Sequence, residues 1–415
     1  MMARRVRGNS HARRRAGENS EITSKSYLSL STTLNAIIKI LKQSGQKVML
    51  CAPTGRAANR MSKLTGEDAS TIHRLLEVTF DNDEKPYFKK NERHPLNCDA
   101  LIVDEMSMVD SALFESLMRA LPLSCRLILV GDTNQLPSID SGNVLLDIIS
   151  SNIIPVVALN KIFRQSGKSL IVINAHKIVN GEMPDLSNKN SDFFFIPIKS
   201  REQIAYNIAD ICTRRLKKTY DYNLIDNIQV LSPTKKGLLG TYELNCKLQE
   251  IVNPKSENNI KRETTVGYYT LREGDKVMQT KNNYNITWKK ENGEEGSGIY
   301  NGDIGVLTEV NSAAQIFKVN FDDKVAEYDG TSILDLELAY ACTVHKSQGN
   351  EFDCVVMPMF NISPQLMYRN LLYTAVTRAK KMLIIIGNEN AFKAMIDNNK
   401  KILRYTGLKY FLTDN

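Results

Sequence analysis

No stretch of this 415-residue chain approaches the ~20 consecutive apolar residues that cross a bilayer, which excludes a membrane-spanning helix. Cysteine is sparse and unordered. Its seven copies, Cys51, Cys98, Cys125, Cys212, Cys246, Cys342 and Cys354, are odd in number and form no Cys-x-x-Cys pair. That excludes a zinc ribbon or a disulfide scaffold and points to a reducing compartment, the cytoplasm. The five histidines (11, 73, 94, 176 and 345) are dispersed, so no clustered-histidine metal centre is expected. The opening MMARRVRGNSHARRR is rich in arginine but leads into no apolar run, which excludes a secretory signal. Excess charge is small once that segment is set aside. Residues 1–25 hold seven Lys or Arg and two Glu, and so supply five of the net +8. Basicity alone therefore identifies no nucleic-acid partner.

What the chain does contain is a series of short apolar runs: KVMLCA (47–52), ALIVDE (100–105), LILVGD (127–132), PVVAL (155–159), IQVLSP (228–233), CVVMP (354–358) and MLIIIG (382–387). They lack polar alternation, as strands covered on both faces do. Helical periodicity lies between them. STTLNAIIKILKQSG (31–45) places apolar residues at 34, 37, 38 and 41 with Gly45 as a C-cap, and SALFESLMRAL (111–121) repeats the pattern. Strands alternating with helices predict an α/β fold with parallel sheets. Residues 282–335 break the pattern. A stretch rich in Asn, Gly and Glu leads into short alternating strands (IGVLTEV, QIFKVNF, KVAEYD), which predicts a small β-barrel inserted in the second α/β unit.

Chemistry concentrates where strands end. LIVDEMSMVD (101–110) delivers Asp104 and Glu105 from the C-terminal end of a strand, the edge at which open α/β sheets bind ligands. The first carboxylate can hold hydrated Mg²⁺ and the second can orient or deprotonate a water that attacks a γ-phosphate; the plainer alternative is a surface pair closing a strand. LILVGDTNQLPSIDSG (127–142) ends a second strand with Asp132 and Gln135, and a neutral amide there can sense a γ-phosphate without adding negative charge. In CAPTGRAANRMSKLTG (51–66), Thr54, Gly55 and Arg56 follow a strand and open a helix, where free backbone N–H groups suit a phosphate. His73 in ASTIHRLL (69–76) reads more readily as a packed histidine than as a ligand. In the second half, Thr343, His345, Lys346 and Ser347 gather polar donors just before Gln348-Gly349. Arg164 follows the fourth strand and Arg378 leads into the last. Two arginines aimed at one nucleotide would stabilise charge on a transferring phosphoryl group, although each alone is more commonly a salt-bridge residue.

Taken in order, APTGRAA, DEMSMVD, GDTNQLPS, IFRQ, VLSPTKKGLLGTYELNCKLQEIVNP, GDKVMQTKNNYN, YNGDIGV, LAYACTVHKSQGNEF and LLYTAVTRAKK resemble the motifs of superfamily 1 helicases, most closely the RecD-like group. The resemblance covers roughly residues 31–390. It implies two RecA-like P-loop NTPase domains with ATP and Mg²⁺ in the cleft between them and an SH3-like β-barrel within the second. The segments are then 1–30, an unfamiliar basic and disordered arm; 31–160, an incomplete first domain; 161–281 with 336–415, the second; and 282–335, the barrel. It further implies ATP-dependent 5′-to-3′ movement on single-stranded DNA, in repair or recombination, at duplex junctions with a 5′ tail. Carried onto this chain, Asp104 and Glu105 become the Mg²⁺ and water-activating pair, Gln135 the γ-phosphate sensor, and Arg164 and Arg378 the arginine fingers. Gly349 and Glu351 fall where the group contacts nucleotide. Pro53, Thr54, His73, Thr234, Thr343 and His345 fall where it contacts DNA.

One element of the resemblance is absent. A motor of this type needs Gly-x-x-x-x-Gly-Lys-Ser/Thr before its first helix, so that backbone N–H groups wrap the phosphates and Lys neutralises them. The residues before STTLNAII are SEITSKSYLSL (20–30), with no glycine. Placing Ser31 at the Mg²⁺-binding hydroxyl and Thr32 beside it puts Leu30 at the lysine position. The expectation is a frameshifted or misassigned start on a truncated gene, with a degenerate ATPase as the rival. The loop would also bring the first strand of the sheet, so Lys47–Ala52 and its neighbours are expected to lose a partner and leave an open edge. Two alternatives remain beside the helicase: a single-stranded-DNA-binding remnant without ATPase activity, and the helicase segment of a conjugative relaxase.

Overall fold

Short apolar runs too brief for amphipathic helices pair into two parallel sheets, each covered by helices on both faces. The computed structural model describes residues 25–80, 86–159, 169–187, 192–255, 262–399 and 406–413, with side chains from residue 32 onward except Phe80 and Pro86. Arg164 and the basic arm up to residue 24 lie outside the described residues.

The first unit runs α1 (Lys25–Gln43), β1 (Val48–Ala52), α2 (Gly55–Thr65), β2 (Ala69–Thr71), a short α3 (Ile72–Leu75), a hairpin of β3 (Val78–Phe80) and β4 (Pro86–Phe88), β5 (Ala100–Val103), α4 (Ser111–Ala120), β6 (Arg126–Leu129) and α5 (Val144–Ser151). Its sheet is parallel throughout, in the order β2-β1-β5-β6. Successive strand residues face opposite sides. Leu50 and Ile102 pack with Leu34, Ile38 and Met61 beneath α1 and α2. Cys51, Leu101 and Val103 pack with Leu113, Leu117 and Ile148 beneath α4 and α5. Helix starts are fixed by side chains: Thr54 accepts a hydrogen bond from the Ala57 amide at the head of α2, and Asp110 accepts from Ala112 and Leu113 at the head of α4.

The expected open edge exists, but at a different strand. β1 is flanked on both sides, by β2 and β5, whereas β6 closes the sheet with no further partner among the described residues. Its apolar residues Leu127, Ile128 and Leu129 are only partly covered. PVVAL (155–159), expected as a strand, joins no ladder, and Val157 is 87% exposed. Its composition suits a strand, but a single extended segment cannot satisfy its own N–H and C=O groups without a neighbouring edge.

The second unit begins with α6 (Leu170–Asn180), β7 (Phe193–Pro197), α7 (Arg201–Asp210), β8 (Ile228–Ser232) and α8 (Thr241–Val252). A hairpin of β9 (Glu263–Val266) and β10 (Tyr269–Arg272) follows. Then come β11 (Lys276–Gln279), β12 (Asn283–Lys290), β13 (Glu295–Ile299), β14 (Ile304–Asn311), β15 (Ile316–Phe321), β16 (Lys324–Tyr328) and β17 (Leu336–Leu338), a seven-stranded antiparallel sheet ordered β13-β12-β16-β15-β14-β11-β17. The chain then re-enters the parallel layer through β18 (Ala341–Thr343), β19 (Phe352–Met359), α9 (Arg369–Val376), β20 (Ala379–Gly387) and α10 (Glu389–Asp397), giving the order β18-β8-β19-β20-β7. The final α11 (Leu408–Thr413) returns Leu408 and Leu412 to the core of the first unit.

A buried polar knot fastens the antiparallel sheet to the parallel one. The Asp275 carboxylate accepts from Asn253 (2.7 Å), from the Tyr340 hydroxyl (2.9 Å) and from the Arg272 amide (2.6 Å). Next to it, Lys276 Nζ donates to the carbonyls of Leu224 (2.8 Å) and Ile228 (3.1 Å). Burial lowers the Lys276 pKa from 10.5 to about 8.

These features yield two tests. Val157→Lys with Leu159→Lys should reduce concentration-dependent self-association in sedimentation velocity while moving the melting temperature little, because both side chains are exposed. Unchanged association would place the adhesive surface elsewhere. For Lys276 the unfolded chain binds the extra proton between its lowered pKa, about 8, and 10.5, so stability should rise with pH across that window. The melting temperature of the wild type relative to Lys276→Met should climb between pH 8 and 10.5; a flat difference would mean the ammonium is not disfavoured by its surroundings.

Candidate active site

β5 carries its last residues into a 3-10 turn (Met106–Met108), and this brings Asp104 and Glu105 to the sheet's C-terminal edge almost fully buried, 7% and 3% exposed. Glu105 holds φ 53° and ψ 40°, a left-handed conformation that costs a non-glycine residue about 1–2 kcal/mol. The turn is held by the Glu105 amide donating to Asp104 Oδ1 (2.8 Å) and the Met106 amide donating to the Val130 carbonyl (3.0 Å). Burial, with Glu105 adding to it, pushes the Asp104 carboxyl up to about 6, against the opposing pull of Arg60.

Arg60, on α2, is the cation that meets this pair. Its Nη2 lies 2.8 Å from Glu105 Oε1 and 4.0 Å from Asp104 Oδ2, and its Nη1 lies 3.2 Å from Glu351 Oε1 of the second unit. Four residues earlier on the same helix, Arg56 donates to Asn350 Oδ1 (3.0 Å) and pairs with Asp303 (3.5 Å). Gly55 and Gly349 are required here. A Cβ on Gly55 would sit 2.4 Å from the Tyr300 ring, and one on Gly349, at φ +74°, would sit 2.9 Å from Thr54 Oγ1.

The loop after β6 docks on α9. Arg378, 2% exposed, donates from Nη2 to Gln135 Oε1 (2.9 Å), from Nη1 to the Asn350 carbonyl (3.2 Å) and from Nε to the Thr374 carbonyl (3.1 Å). Tyr373 donates to Asp132 (2.7 Å), the Leu136 amide donates to Thr374 Oγ1 (2.9 Å), and Gln348 Nε2 donates to the Leu136 carbonyl (2.9 Å). The residues expected as γ-phosphate sensor and arginine finger are thus in direct contact across the two units. A small cavity of about 30 Å³ opens beside them, lined by Ser107, Thr133, Asn143 and Gln135 from one unit and Tyr368 and Asn370 from the other.

The residues expected to face DNA group by sheet. Pro53 and Thr54 close β1, and His73 follows β2, its parallel neighbour. The His73 ring packs against Phe88 at 5.8 Å between centroids, and burial lowers its pKa, in keeping with a packed histidine. Thr234 follows β8, and Thr343 ends β18, paired in parallel with Ser232. His345 sits one turn further on, its pKa also lowered by burial. Ser31 is the seventh residue of α1 and Thr32, exposed, the eighth, so a continuous helix precedes both.

Sequence reasoning missed Arg60, Asn350, Asp303 and Tyr373. The available signal was the spacing of Arg56 and Arg60, which puts two long cations on one face of α2. Their partners lie far along the chain, and a single sequence does not display that.

Two parallel-sheet units with an antiparallel sheet set into the second, and acidic and arginine side chains meeting at the junction, make a two-lobed α/β architecture. Family models match in the same order: an AAA domain over residues 30–141, the ATP-dependent RecD-like DNA helicase SH3 domain over 244–321, and the UvrD-like helicase C-terminal domain over 338–386. The ATP-dependent RecD2 DNA helicase of Deinococcus radiodurans is 35% identical over 364 residues, which cover 88% of this chain and 46% of that one. The RecBCD enzyme subunit RecD of Buchnera aphidicola is 26% identical over 448 residues, covering 90% of this chain and 70% of its own. A solved Pif1 helicase from Bacteroides, in complex with ADP-AlF3 and ssDNA, aligns over 88% of this chain and 87% of its own at 19% identity and a TM-score of 0.48. The chain belongs to the RecD-like helicases of superfamily 1. It spans about half the length of the RecD2 relative.

The Gln135–Arg378 contact gives a direct test. A double-mutant cycle with Gln135→Ala and Arg378→Ala, read by urea unfolding, should show a coupling of about 1–3 kcal/mol, the range for a hydrogen bond to a charged group. Additive effects would mean that the two units do not meet this way in solution.

Proposed function

We propose that this chain is the motor core of an ATP-dependent 5′-to-3′ DNA helicase acting on single-stranded DNA, with duplex junctions bearing a 5′ tail as its substrates in repair or recombination. The observation that carries the reading is the convergence of Asp104 and Glu105 with Glu351 through Arg60, beside the Gln135–Arg378 hydrogen bond. The domains follow the segments given above, 31–160 and 161–281 with 336–415, with the antiparallel insertion between. The cysteines of the described residues are all free, consistent with a cytoplasmic setting, and no described helix is long and apolar enough to cross a membrane.

The donor set fits a divalent cation bound together with a nucleotide. Two buried carboxylates stand side by side, and the described residues hold no cluster of three or more His, Cys, Asp or Glu that could bind a metal alone, so Mg²⁺ would draw its other ligands from water and phosphate oxygens. A Mg²⁺ ion held there would supply neutralising charge to a transferring phosphoryl group. Asp104 would hold it, and Glu105 would take the proton of an attacking water. Gln135 orients that water, and Arg378 faces the charge that develops on the far side. Gly349 and Glu351 border the nucleotide. Pro53, Thr54, His73, Thr234, Thr343 and His345 line the DNA track, with little sequence preference because the contacts are to backbone.

Residues 20–30, just before Ser31, hold no glycine, and α1 is helical from Lys25 onward. The 415-residue chain therefore binds single-stranded DNA but turns over ATP weakly or not at all. Steady-state hydrolysis with and without single-stranded DNA, beside an Asp104→Ala/Glu105→Ala control, should show no DNA-stimulated turnover. DNA binding should persist and weaken with salt, log K falling by ~0.7 per phosphate contact for each tenfold rise in salt. DNA-stimulated turnover abolished by Glu105→Gln would instead make residues 20–31 an unorthodox phosphate site. Loss of DNA binding at low salt would remove the helicase reading for this chain.

A further inference from the structure

Arg60 makes contacts that no step of hydrolysis accounts for. Its side chain is 18% exposed, and its two terminal nitrogens divide between the units: Nη2 on Glu105 and within 4.0 Å of Asp104, Nη1 on Glu351. A planar fork can hold two carboxylates in fixed geometry at once; a lysine ammonium on a flexible stem cannot match it. Lys380, 45% exposed, touches Glu351 only at 3.7 Å. The cluster thus contains three carboxylates, Asp104, Glu105 and Glu351, against Arg60 and one half-solvated lysine. It stays negative by one charge, and the best-buried cation within it is Arg60.

We propose that Arg60 is the resident counter-ion of the nucleotide cleft: it occupies the cation position of the Asp104–Glu105 pair, ties that pair to Glu351 of the second unit, and must let go before a divalent cation can bind. This rests on the reading of Asp104 and Glu105 as the divalent-cation pair. A metal ion on those carboxylates brings two positive charges against the guanidinium, and like charges at contact distance in a half-buried site repel strongly. The released arm keeps Glu351 as its partner. Arg60 therefore does two things in the metal-free protein. It spares two buried carboxylates from standing uncompensated, and it pins α2 to the 350–351 segment, where Arg56 already holds Asn350. Metal entry thus replaces a bond within the first unit, Arg60 to Glu105, and leaves the Arg60–Glu351 bond between the units in place.

The test uses Mn²⁺ alone, without nucleotide, titrated into the full chain and read from the free-ion electron paramagnetic resonance signal. Arg60→Gln should bind Mn²⁺ about tenfold more tightly than the wild type. Arg60→Lys, which restores the charge, should return most of the way to wild-type binding, an outcome that a purely structural role would not produce. Asp104→Asn should abolish binding in the Arg60→Gln background. If Arg60→Gln binds Mn²⁺ no better than the wild type while Asp104→Asn still removes binding, the counter-ion role is overturned and the metal reading stands. If Asp104→Asn leaves binding intact, the metal reading itself falls. Should Arg60→Gln fail to fold by circular dichroism, Arg60→Met, which keeps the aliphatic bulk on α2, carries the same expectation.

Discussion

Asp104 and Glu105 leave β5 with almost no exposure, and two adjacent carboxylates taken out of water are costly, several kcal/mol for each ion that stays unpaired. Much of the junction between the units is arranged around that cost. Arg60 supplies the compensating charge and can reach it because Thr54 starts α2 where β1 ends, which aims this helix face at the strand ends. The left-handed backbone at Glu105 brings both carboxylates to one cation instead of to opposite faces of the strand. A backbone strain of that kind persists only where its surroundings over-determine it, and here the Val130 carbonyl, the Asp104 side chain and Arg60 all do so.

The units themselves are held by different forces. Within each, parallel strands bury aliphatic side chains on both faces, and the antiparallel sheet continues the core on the α7–α8 face of the second unit through Val277, Leu307, Phe317 and Val319. Between the first unit and the second, the contacts are largely polar and directional: Arg56 with Asn350 and Asp303, Arg60 with Glu351, Asp132 with Tyr373, and Gln135 with Arg378. An apolar interface would resist separation in proportion to its area. A set of hydrogen bonds and ion pairs can be exchanged one for another as ligands arrive, so the junction can change its contacts without exposing a large apolar face.

The parallel strands were legible because an unbroken apolar run is the direct signature of a strand buried on both sides; six of the seven expected runs pair as such. PVVAL failed for a reason no local pattern contains, since pairing depends on an available edge. The antiparallel insertion was visible in its interior, but its sheet also takes in β11 and β17, whose buried residues read like those of the parallel core. At the site, Asp104, Glu105, Gln135 and Arg378 were readable because they close or lead into strands. Arg60 was not, because an arginine in mid-helix has no local mark of function and its partners Glu105 and Glu351 lie 45 and 291 residues away. Arg164 falls outside the described residues.

The head of α1 sets the limit on what this cleft can do. A glycine-rich loop grips phosphates with backbone N–H groups, and those are free only in the first turn of a helix or in a loop. With α1 helical from Lys25, the free amides belong to residues about 25–28, and the amides of Ser31 and Thr32 are already committed to the helix ladder. On the proposed reading, the described residues that would grip phosphate are therefore side chains across the cleft. Arg60 is the cation already resting against the carboxylate pair, and Arg378, tied to Gln135, Asn350 and Thr374, is the one already ordered at its far wall.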